Sequence, residues 1–96
     1  MLCNEPAPCA RVHERIARGY GELGAWGFAH RHFAAAANEA PSVERWLESA
    51  DAAARAGSPT LVHFALDRAR REGELSVEQR RRLVGIEETL AGSSPR

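Results

Sequence analysis

The chain reads as an all-α protein made of paired short helices, and three observations predict it. Apolar residues recur at intervals of three and four from Val12 to Leu90 and never alternate in twos. Glycine or proline breaks that rhythm at Gly24, Pro41, Gly57 to Pro59 and Gly73, which leaves five helical segments. The pattern also overlays itself after a shift of 33 residues. At 96 residues the chain is one domain with a modest core.

Residues 1–9 carry Pro6 and Pro8 without periodicity and are expected as a tail or lead-in. From Ala10 the pattern turns helical. Val12, Ile16 and Tyr20 lie four apart and form the expected buried stripe. Gly24 ends this helix by supplying a conformation that side chains resist. A second helix is expected over 25–39, with Trp26, Ala29, Phe33 and Ala36 or Ala37 as its stripe. Pro41 stops it, because the residue before a proline is pushed out of helical geometry.

Ser42 reads as the cap of a third helix over 43–56, striped by Trp46, Leu47, Ala50, Ala53 and Ala54. Ser58 followed by Pro59 is a strong start for a fourth helix over 59–72, with Val62, Ala65, Leu66 and Ala69 inward. Gly73 closes it. Ser76 to Gln79 has the form of a capping box for a fifth helix over 77–91. Its apolar residues are Val77, Leu83, Val84, Ile86 and Leu90, and residues 92–96 are expected to fray. Alanine supplies much of the apolar content but buries little area, so Trp26, Phe33, Trp46 and Phe64 are expected to anchor the packing.

The 33-residue shift pairs His13 with Trp46, Ala17 with Ala50, Tyr20 with Ala53 and Gly24 with Gly57. It also pairs Ala29 with Val62, Phe33 with Leu66 and Ala36 with Ala69. A period of this size marks stacked helix pairs, each unable to cover its own stripe. The first unit resembles a tetratricopeptide repeat, whose pattern runs W-x2-L-G-x2-Y, then A-x3-F, then P. Tyr20, Ala29, Phe33 and Pro41 match it, while His13, Ile16 and Ala17 replace Trp, Leu and Gly. The second unit keeps Trp46 but has Ser49, Ala50 and Ala53 at the Leu, Gly and Tyr positions and no closing proline near Glu74. The resemblance implies two antiparallel helix-turn-helix hairpins, at 10–42 and 43–75, and a capping helix at 76–91. Together they would form a fragment of a right-handed α-solenoid.

In that family the first helix of each pair lines a groove that takes a peptide or partner segment. Carried over, the groove residues are Arg11, Glu14, Arg15 and Arg18 from the first unit and Leu47, Glu48, Asp51 and Arg55 from the second. Glu14 and Arg18 are also spaced to pair with each other. The carboxylate-clamping branch of the family uses Lys and Asn at such places. This chain has no Lys, and its only Asn residues are Asn4 and Asn38. The expected function is therefore a non-catalytic adaptor that binds a segment of mixed charge. The alternatives are a self-associating helical bundle with a regulatory role and a metal-binding helical protein. Two repeats are fewer than the three or so that stabilise a stack, so a homodimer or a longer array is expected.

Other chemistry finds little support. Lys plus Arg and Asp plus Glu both number 13, so no net field favours nucleic acid. Arg80, Arg81 and Arg82, with Arg68, Arg70 and Arg71, form a basic cluster, but Glu72, Glu74, Glu78, Glu87 and Glu88 lie among them. No apolar run is long enough for a membrane span, and no secretory signal is visible, so a cytoplasmic location with free Cys3 and Cys9 thiols is expected. Cys3, Cys9 and His13 could approach a zinc ion, yet they lack a CxxC pair and a fourth ligand. His30 and His32 fall on different helix faces, and His63 reads as a surface residue. Ser42, Ser49, Ser58 and Ser76 are assigned to caps and surfaces. Neither a cofactor, a metal nor an enzyme activity is expected.

Overall fold

The computed structural model describes residues 6–93 and, for side chains, Cys9 to Gly92. It contains α1 (Pro6–Glu22), α2 (Trp26–Glu39), α3 (Val43–Arg55), α4 (Pro59–Glu72) and α5 (Val77–Ser93), with no strand among the described residues. The all-α expectation holds, and four of the five helices start within one residue of the expected place. The exception is α1. Residues 6–9, expected in a tail, are helical. Pro6 and Pro8 fit there because N–H groups in a first turn have no intrahelical acceptor. Residues 1–5 and 94–96 of the expected tail and frayed end lie outside the described residues.

The turns are chemically specified. At the end of α1, the Gly24 N–H donates to the Gly21 carbonyl at 3.0 Å and the Ala25 N–H to Tyr20 at 2.9 Å. At the end of α3, Gly57 donates to Ala54 and Ser58 to Ala53, both at 3.0 Å. Both are the crossed pair of bonds of a Schellman cap, with glycine at φ 76° in each. Ser42 Oγ caps α3 by accepting from the Arg45 N–H at 3.1 Å. The capping box of α5 is complete. The Gln79 N–H donates to Ser76 Oγ at 3.1 Å, and the Ser76 N–H donates to Gln79 Oε1 at 2.8 Å.

Helix α1 packs on α2, and α3 packs on α2, α4 and α5, so α3 is the centre of the fold. The larger core joins Trp46, Leu47, Ala50, Ala53 and Ala54 of α3 to Val62, Ala65, Leu66 and Ala69 of α4, with Leu83 and Ile86 of α5. A smaller core joins Ala17, Ala29, Phe33 and Ala52, flanked by Tyr20 and Trp26. The stripes of α3 and α4 are thus buried as expected, and that of α2 is buried at Ala29, Phe33, Ala36 and Ala37 while Trp26 is half-buried.

Three apolar assignments need correction. Val12 and Ile16 are 43 % and 41 % exposed, and the buried face of α1 is instead Cys9, Ala10 and Ala17. Small residues win that face because they let α1 and α2 approach closely, and among the described residues no helix precedes α1 to cover the larger ones. Phe64 is 51 % exposed. It lies edge-on to the buried Trp46 with the Arg68 guanidinium over its ring, so it shields the core rather than filling it. On α5, Val77 and Val84 face outward. The cysteine expectation also changes. Cys9 is buried and engaged in a disulfide. The free-thiol reading rested on compartment alone, which carries no local geometry. Cys3 lies outside the described residues.

Candidate functional site

One face of α1 presents Arg11, Arg15 and Arg18 as exposed side chains, with Glu14 half-buried beside them. These four, with Gly19 and Glu22, border a shallow surface along the helix. Arg18 and Glu22 also belong to a cleft of about 400 Å³ whose far wall is Glu48, Asp51 and Arg55 of α3. Seven of the eight expected groove residues therefore line one or other of two adjoining depressions that share Arg18 and Glu22. Leu47 does not, because it is fully buried in the core. The 3.6-residue period turns position 47 inward beside Trp46 and Ala50, which corrects its assignment to the groove.

The cleft also has an apolar lining of Ala17, Phe33 and Trp26. Gly21 makes room for that ring, since a Cβ there would lie 2.8 Å from Trp26. The Arg55 guanidinium sits 4.9 Å above Trp26 and its Nε donates to Asp51 at 3.3 Å, so cation–π and ionic contacts fix this corner.

The acids are only partly available. Glu14 pairs with Arg45 of α3 at 3.5 Å, where the spacing alone had suggested Arg18. Glu48 pairs with Arg82 of α5 at 2.7 Å, and the same guanidinium reaches Glu44 at 3.1 Å. Gln79 adds a bond to Glu44 at 3.0 Å. One arginine of the basic cluster thus docks α5 on α3, while Arg80 and Arg81 remain exposed.

Two histidine contacts lie outside the expected site. His30 Nδ1 is 3.2 Å from the Ser49 carbonyl and 3.1 Å from Ser49 Oγ. Ser49 is fully buried, so this pair ties α2 to α3 and is not the surface serine the sequence suggested. Its signal was a hydroxyl inside the apolar stripe of α3. On the outer side of the first hairpin, His13 Nδ1 and His32 Nδ1 are 3.1 Å apart. Tyr20 stacks on His32 with centroids 5.7 Å apart and on Phe28 at 5.3 Å. Burial, and then the neighbouring His13 charge, push the His32 pKa below the usual 6.5. His63 is exposed, as expected. Among the described residues no three metal-ligating side chains gather at one point. Of the suggested zinc set, Cys3 lies outside the described residues.

No helix among the described residues is long and apolar enough to cross a membrane. No family model, no curated protein and no solved structure matches the chain.

Proposed function

We propose that this chain is a non-catalytic interaction module of the tetratricopeptide type. It takes an extended partner segment of mixed charge along the α1–α3 face, with Arg11, Arg15 and Arg18 meeting acids and Asp51 meeting a base. The observation that carries this reading is the duplicated hairpin turn: the same two Schellman bonds recur 33 residues apart, each on a glycine at φ 76°. Turns of one geometry a period apart support stacked helix pairs, and α1 and α3 both border one cleft. The half-buried Trp26 offers an apolar contact among the charges, the arrangement that concentrates binding energy in few residues.

An array of extended peptides of varied charge pattern tests this directly. The labelled chain should bind a subset that alternates acidic and basic residues. Arg15→Glu with Arg18→Glu should weaken those spots by about ten-fold or more, whereas Arg70→Glu with Arg71→Glu on α4 should leave them unchanged. Equal binding by the wild type and the α1 double variant would reject the assignment.

A second reading, self-association, is favoured by the outward face of α1. Val12 and Ile16, with Leu23 of the following turn and Phe28 of α2, are all more than two-fifths exposed. Ile16 occupies the place in α1 that Ser49 occupies in α3, where α2 covers it. A second copy stacked on α1 would supply that cover. Sedimentation should then show a dimer that Ile16→Glu dissociates; a wild-type monomer at micromolar concentration would sink this reading.

A further inference from the structure

We propose that His13 and His32 form a two-histidine site for a borderline divalent transition-metal ion, zinc or copper(II) above all. Their Nδ1 atoms face each other at 3.1 Å across the α1–α2 hairpin. If both rings carry their proton on Nε2, two lone pairs meet there, and a shared cation relieves their repulsion. If one ring carries its proton on Nδ1, the contact is a hydrogen bond. An ion held by both nitrogens lies off the line between them, so the rings tilt to aim at it. With metal–nitrogen bonds of about 2.0–2.1 Å, nitrogens at this separation subtend an angle of about 100°, within the range that adjacent ligands adopt.

The donors are held rather than loose. Each sits on a regular helix, and the two helices pack closely along the hairpin. Tyr20 lies nearly parallel to His32, with an interplanar angle of 16°, and Phe28 backs Tyr20 in turn. Both histidines are half-buried, so a bound ion competes with less water than at an open surface. With no third donor at this point among the described residues, the remaining coordination positions belong to water or to a side chain of another molecule. Soft, thiol-preferring ions and hard, oxygen-preferring ions are both disfavoured by a pair of imidazoles.

Titration calorimetry of the purified chain with zinc chloride, at neutral pH and under non-reducing conditions, tests the site. The wild type should bind one ion per chain, and its thermal midpoint should rise with added zinc. His13→Ala and His32→Ala should each weaken binding by at least about ten-fold and abolish the thermal shift. His63→Ala should change neither. His13→Gln and His32→Gln keep more of the packing volume and should behave as the alanine variants do, which separates ligand loss from misfolding. Absence of zinc binding by the wild type, or binding that survives both substitutions, would overturn the proposal. Neither result bears on the peptide array, since the pair lies outside the α1–α3 cleft.

Discussion

Gly24 and Gly57 adopt the same backbone φ of 76°, and at each helix end the glycine N–H and the N–H of the next residue donate the same two crossed hydrogen bonds. Neither would crowd a neighbour if it gained a Cβ, since nothing lies within 4 Å of that position. The cost of replacing either one is therefore conformational, not steric. Gly24→Ala and Gly57→Ala should each lower stability by about 1–2 kcal/mol. The two turns share no partners, so the double variant should lose the sum to within about 0.5 kcal/mol. Urea unfolding monitored by tryptophan fluorescence checks this. A loss confined to one turn would mean that the two hairpins are not equivalent.

The features legible in the sequence were those with a local chemical cause. Pro41, Ser42, the Ser58–Pro59 pair and the Ser76–Gln79 box each act within four residues of themselves, so helix ends could be read along the chain. The buried face of α1 could not. Periodicity favoured Val12 and Ile16 because they are large, but the face that α2 selects is the one where Ala10 and Ala17 permit close approach. Alanine contributes little to an apolar stripe, so that choice leaves a faint trace. The groove was legible as a set of polar positions, though their partners were not. Arg45 reaches Glu14, and Arg82 reaches Glu48, from helices distant in sequence.

The buried pair His30 and Ser49 should matter more through the ring than through the hydroxyl. Removing Ser49 Oγ still leaves the Ser49 carbonyl as acceptor for His30 at 3.2 Å. Ser49→Ala should therefore cost about 1 kcal/mol or less. His30→Ala removes the partner of a fully buried hydroxyl and opens a cavity between α2 and α3. Its cost should reach about 2–3 kcal/mol. Chemical denaturation of the two variants separates the cases, and equal losses would show that the hydroxyl is the essential member.

Attachment of α5 rests on two kinds of contact whose strengths differ. Ile86 is 2 % exposed and sits in the larger core. Ile86→Ala should cost about 2–4 kcal/mol and release α5 first, seen as faster amide exchange over residues 77–93. Arg82 bridges Glu44 and Glu48, but its side chain is about one-third exposed and screened by water. Arg82→Ala should cost only about 0.5–1 kcal/mol, and less in high salt. Val84 is half exposed, so Val84→Ala serves as the control, with almost no change expected.

Stability should fall as the solution is acidified from neutral, and His32 should account for part of that fall. Burial, and then the charge of His13, hold its pKa below 6.5 in the folded chain. A histidine shifted this way binds fewer protons folded than unfolded, so protonation favours the unfolded chain. Its contribution is intact above pH 6.5. It is lost as the pH drops from 6.5 toward the lower folded-state pKa, and below that the loss is constant. His32→Asn keeps a polar group of similar reach without the titration. Urea midpoints at about pH 7.5 and about pH 5.5 should therefore differ less in His32→Asn than in the wild type. His13→Asn removes the charged neighbour and should also flatten the dependence, though by less than His32→Asn, because burial is the larger cause. A wild-type stability that rises on acidification through this range would contradict the direction assigned to His32.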